Sequence, residues 1–97
     1  MDAITATQKY RNDGTTTKQM HTAPFGAVYI WCNQHIDYAE HLARYLGRKD
    51  LKIVRPSWLT EHGWAGGSFS GIVLDHATRL TEMEYAYLGV ALRLVRS

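Results

Sequence analysis

Ninety-seven residues, 45% hydrophobic and 21% charged, suffice for one small globular domain and are too few for two. A net charge of +2 demands no nucleic acid and falls short of the basic surplus of a dedicated nucleic-acid binder. The single cysteine, Cys32, excludes an intrachain disulfide. The apolar runs are too short for a bilayer and no signal-peptide core opens the chain, so a soluble, cytoplasmic protein without a membrane partner is expected.

Residues 1–13 show no hydrophobic period and are read as a short strand around Ile4 or a flexible lead-in to a single domain over 1–97. "RNDG" is turn chemistry. "GTTTKQMHTAPFG" predicts a short helix over 15–23, capped by a threonine hydroxyl and ended by Pro24 and Gly26. "GAVYIWCN" is continuously apolar, which predicts a strand over 27–33 covered on both faces, as in parallel sheets. "HIDYAEHLARYLGRKD" predicts a helix over 37–47. Asp37 and Glu40 have capping-box spacing, Ala39, Leu42, Ala43 and Leu46 form its apolar face, and Gly47 ends it, with Arg44 and Arg48 suited to the negative end of its dipole.

A strand over 51–55 follows, stopped by Pro56, then a loop made flexible by Gly66 and Gly67, then a strand over 71–75. The last helix, 81–95, opens on a capping box, Thr81 with Glu84. Its apolar content on several sides predicts that much of it is buried, and Gly89 inside it, costing about 1 kcal/mol against alanine, predicts close packing there. The alternation implies an α/β fold, a small three-layer sandwich on a mainly parallel three-stranded sheet. The link between the second and third strands permits a parallel crossover or an antiparallel return; the parallel form is favoured.

These pieces resemble the core of a P-loop NTPase. "GTTTKQM" sits where such proteins carry the phosphate loop and first helix, and "GIVLDHATRL" is similar to a Walker B strand, whose apolar run ends in an acid, here Asp75. The loop itself departs from G-x-x-x-x-G-K-[ST]: with Gly14 as the second glycine, Lys9 replaces the first, Thr15 replaces the lysine, and Lys18 comes two residues late. Thr16 keeps the metal-binding hydroxyl position, whereas His76 stands where helicase-like enzymes carry a second acid. The resemblance implies a degenerate, non-hydrolytic relative at most. In style, though not in motif, the chain also resembles short accessory proteins of bacteriophages, which would place it in a bacterial cytoplasm.

Three sets of candidate residues follow. Asn33, Arg55, Ser57, Asp75 and His76 fall at the carboxyl ends of the expected strands, where open parallel sheets bind ligands; the plainer reading is that polar residues begin where strands stop. Under the P-loop resemblance, Gly14, Thr15, Thr16 and Lys18 would cradle a phosphate at a helix N-terminus, with Asn33 and His76 orienting the ligand and Asp75 holding Mg²⁺. The basic surplus of the middle of the chain, Arg44, Arg48, Lys49, Lys52 and Arg55, with the aromatic residues Trp58, Trp64 and Phe69, forms the third set, a partner-binding surface for a protein or, secondarily, nucleic acid; the equal alternative for the aromatic residues is that Trp58 seals the end of the core and Trp64 lids it.

The five histidines lack paired metal-ligand spacing, so no metal centre and no resident cofactor are expected. A Cys32/His76 hydrolase is the weakest reading, because no catalytic signature surrounds the thiol. The leading expectation is a non-catalytic binding protein; the alternative is a phosphate or nucleotide binder.

Overall fold

The structure, a computed structural model, describes residues 14–32 and 35–95; the expected lead-in 1–13 and the candidate Asn33 lie outside the described residues. Helix α1 occupies 14–22. It is followed by β1 (Val28–Ile30), α2 (Ile36–Tyr45), β2 (Lys52–Val54), the one-turn α3 (Ser57–Thr60), β3 (Ile72–Leu74) and α4 (Glu82–Leu92). The sheet has the order β2-β1-β3 and both pairings are parallel, with Tyr29 opposite Ile53 on one side and Val73 on the other. The α/β sandwich and the parallel β2–β3 relation are therefore as expected. The strands are shorter than expected, at three residues each.

The topology follows from handedness. The β1–α2–β2 crossover moves one way along the sheet, and the β2–α3–β3 crossover returns across β1 in the opposite direction. Both being right-handed, they must cover opposite faces. Central β1 is buried on both faces, which is why its sequence is continuous rather than alternating. Ala27, Tyr29 and Trp31 point into a cluster with Met20, Ala23, Ala39, Ala43 and Leu51, under α1 and α2. Val28 and Ile30 point the other way, onto Val54, Leu59, Phe69 and Ala91, under α3 and α4. Burying each of the larger aliphatic side chains fully contributes about 1.5–3 kcal/mol.

Helix α2 ends as its glycine implies. Gly47 takes φ 75°, its N–H donates to the carbonyl of Arg44, and the N–H of Arg48 donates to that of Ala43, the paired bonds of a Schellman motif. Its start departs from expectation: His35, at φ 49°, is the N-cap residue and makes no side-chain cap, so Asp37 lies inside the first turn, where its charge favours the dipole instead of capping it. The Thr81–Glu84 capping box is present in both directions, at 3.1 and 2.8 Å.

Helix α4 corrects two expectations. Ala91 is its one buried residue, while Met83, Tyr85, Val90 and Leu92 are exposed. A Cβ placed on Gly89 would meet nothing within 4 Å, so no packing among the described residues accounts for that glycine. The one-turn helix that follows Pro56 was not expected from the sequence. Residues 57–60 are helical, and Gly63 lies flat under the Trp58 indole, where an added Cβ would stand 2.2 Å from Cδ1.

Candidate functional site

The carboxyl end of β3 gathers groups from distant parts of the chain. Asp75 is 1% exposed, and its carboxylate takes three donors. The Thr16 hydroxyl donates to Oδ1 at 3.0 Å, the Tyr29 phenol donates to the same oxygen at 2.5 Å, and the N–H of Ala77 donates to Oδ2 at 3.1 Å. Thr16 is itself buried, and its oxygen lies 3.1 Å from His76 Nε2. Because Thr16 spends its only proton on Asp75, His76 is the donor in that contact. Burial, then the hydrogen bond to Asp75 and its charge, push the Tyr29 phenol far above the usual tyrosine range, so it remains a neutral donor.

Gln19 adds a second link between α1 and β3. Its amide nitrogen donates to the carbonyl of Leu74 at 3.2 Å, and its oxygen accepts the N–H of His76 at 2.9 Å. Thr16 and Gln19, three residues apart, share the helix face turned to β3. Gln19 and Tyr29 were not among the sequence candidates; the only signal for Gln19 was its helical spacing from Thr16. Of the P-loop set, the fold joins Thr16, Asp75 and His76. Gly14, Thr15 and Lys18 are exposed on α1. The arrangement buries the one acid that would hold a metal and occupies it with protein donors, and among the described residues no three His, Cys, Asp or Glu side chains converge. Cys32 is half-buried just past β1.

The strand ends do share one rim, since all three strands run the same way. Convergence across it fails all the same. Arg55 follows β2 and Asp75 follows β3, on opposite edges of the sheet, two strand spacings or about 10 Å apart. Arg55 and Ser57 are exposed, whereas Asp75 is inside.

The basic set divides. Arg48 is structural: its guanidinium is bidentate to Asp50 at 3.0 and 2.9 Å and also donates to the carbonyls of Met20, His21 and Pro24. Rather than serving its own helix, it satisfies the carbonyl end of α1. Asp50 in turn accepts the N–H of Gly26 at 2.7 Å. The hydrogen bond from Arg48 holds the Asp50 carboxyl at about 2, below its ordinary 3.8, and the same bond raises Arg48 further. By contrast, Arg44, Lys49, Lys52 and Arg55 are exposed and make no ion pair among the described residues. Arg44, Arg48 and Lys49 border a groove of about 340 Å³ between α2 and the outer edge of β2, which pairs with no further strand among the described residues; Ala43, Leu51 and Ile53 floor it and Glu40 is on its wall.

The aromatic set is mostly interior. Phe69 is 3% exposed and meets Trp58 edge-on, at 5.8 Å and 71°. Trp64 donates its indole N–H to the carbonyl of Leu59 at 2.8 Å and packs with His62 and Tyr87, tying the end of α3 to α4. These rings seal the core, and of the two indoles Trp64 alone has a partner for its N–H among the described residues. The most exposed aromatic residues among those described are others, Phe25 and Tyr45, at 81% and 86%.

Among the described residues no helix is long and apolar enough to cross a membrane. Compared with protein-family models, with curated proteins and with solved structures, the chain matches none.

Proposed function

We propose that the protein is a non-catalytic binding domain that takes an extended acidic segment of a partner protein along the outer edge of β2. The observation that carries this reading is the groove between α2 and β2. In a parallel ladder alternate residues turn their N–H and C=O to one neighbour. Lys52 and Val54 bond to β1, through Lys52 N–H to Ala27 and Trp31 N–H to Val54, so the backbone groups of Ile53 face outward. An edge with no strand partner among the described residues, beside an apolar floor, accepts a strand-like segment, and Arg44 and Lys49 on the groove wall favour one that carries carboxylates. Asp75 supports a non-catalytic role, since it is buried and already accepts three protein donors, one of them the Thr16 hydroxyl. A bacteriophage accessory factor acting on a host or viral protein in the bacterial cytoplasm remains the setting this reading suggests; the lone cysteine suits a reducing compartment.

The test is fluorescence anisotropy at low salt with a labelled, strand-forming peptide rich in Asp and Glu. Saturable binding is expected, lost in Arg44→Glu/Lys49→Glu with an unchanged melting temperature. Binding that survives those changes, or an oligonucleotide of equal charge that binds more tightly than the peptide, overturns the proposal.

A second reading, a phosphate or nucleotide binder, is favoured by one observation: residues 16 and 75, paired by the P-loop resemblance, lie within 3.0 Å across 59 positions of chain. Under it, Thr15 and Lys18 would meet phosphate and a Mg²⁺ ion would displace the Thr16 proton from Asp75. Millimolar ATP or GTP with Mg²⁺ would then raise the melting temperature by mass action, and no shift ends this reading.

A further inference from the structure

The outward side of α4 is the largest part of the molecule that the fold leaves unexplained. Its inward positions are Glu84, Tyr87, Leu88 and Ala91. Opposite them, at about 100° per residue, Glu82, Ala86, Gly89 and Arg93 form one straight exposed ridge. Met83 and Val90 flank it on one side, 64% and 39% exposed. Tyr85 and Leu92 flank it on the other, 54% and 47% exposed. A helix apolar on every side is a buried helix, yet here one residue is buried. Neither Glu82 nor Arg93 has an ion-pair partner among the described residues.

The ridge is its own complement. Its smallest residues, Ala86 and Gly89, lie at its middle, and its two opposite charges lie at its ends. Both pairs are symmetric about the point between Tyr87 and Leu88. A twofold axis through that point lays a second α4 antiparallel on the first. It places Ala86 against Gly89 and Glu82 against Arg93, twice each. The helix dipoles are then opposed head to tail, and the flanking apolar residues close over the crossing. Gly89 supplies an independent sign. It lowers helix stability, and a Cβ there would touch nothing among the described residues. Its absence of side chain gains a purpose only when another backbone approaches.

We infer that α4 is an isologous dimer interface between two copies of this chain, crossing at Ala86 and Gly89 and keyed by reciprocal Glu82–Arg93 pairs. The interface lies on the opposite face of the sheet from α2 and its basic groove, so a dimer would present two grooves.

Sedimentation equilibrium of the full chain, from 1 to 200 µM as a working range of about two decades, reads the inference directly. A monomer–dimer equilibrium is expected. Glu82→Arg and Arg93→Glu should each weaken dimerisation at least tenfold at low salt, and the two together should restore it, because the swap recreates both pairs. Gly89→Leu should abolish dimerisation while circular dichroism stays helical. A chain that is monomeric throughout, whether or not α4 then adsorbs to phosphatidylcholine vesicles, overturns the inference. So does a dimer indifferent to the single reversals, or one that the double reversal fails to restore.

Discussion

Helices α1 and α4 lie on opposite faces of one small sheet and are held in opposite ways. Helix α1 is fastened by polar bonds at both ends. Thr16 and Gln19 hold its beginning to the end of β3, and Arg48 satisfies its last carbonyls while gripping Asp50. Its apolar contribution is small, chiefly Met20, with Ala23 just past its end. Helix α4 has a complete capping box and abundant apolar residues, but it spends few of them on its own chain. The difference teaches that hydrophobicity alone does not seat a helix. A short helix with few apolar residues is fixed when directional bonds name its place, and a richly apolar one stays half-used when the sheet beneath it has only three strands to cover.

The comparison can be broken from either side. The largest effect is expected on the α4 side, from Gly63→Ala: the methyl would overlap the Trp58 ring that backs Phe69, costing about 3 kcal/mol in urea unfolding. On the α1 side, Arg48→Met leaves Asp50 and three carbonyls without their donor, and about 2–3 kcal/mol is expected to be lost.

That second variant also sharpens the pH behaviour. The Asp50 carboxyl titrates lower in the folded chain, at about 2, than its ordinary 3.8. Its stabilisation is therefore present above about pH 4 and lost as pH falls toward 2. Arg48→Met should flatten this acid limb of the stability curve; an unchanged limb would place its origin elsewhere.

Thr16→Val keeps the shape of the α1 latch and removes one of the Asp75 donors, for an expected loss of about 1–2 kcal/mol. The smallest effect has the opposite sign. Measured where the chain is monomeric, Gly89→Ala should gain up to about 1 kcal/mol, because the added methyl meets open space. A loss there would mean that Gly89 serves the single chain after all.

Much of the fold was legible because local rules agree with it. Gly47 could end α2 in the left-handed region, Thr81 with Glu84 could only open a helix, and "AVYI" could only be a strand covered twice. The site was legible in part. Asp75 stood out as the polar end of an apolar run, and the resemblance paired it with Thr16. Tyr29 did not stand out, since in a continuous apolar strand nothing local shows that its hydroxyl will reach Asp75. Arg48 was misread for the same reason, its proper partner being the carbonyl end of a helix 28 positions earlier in the chain. For the aromatic residues of 58–69 the sequence left partner contact and core sealing open, because nothing local shows that Gly63 lets the Trp58 indole lie flat on the backbone.

By itself, then, the sequence determined where the three strands and the three longer helices lie and how two of those helices end, because each depends on propensity and spacing within a few residues; it favoured the parallel sheet without fixing it. Only the tertiary structure decided which polar groups meet, which basic residues are spent internally and which side of α4 is left bare. Those outcomes depend on the crossing direction of the chain and on distances between segments far apart along it, which no local pattern encodes.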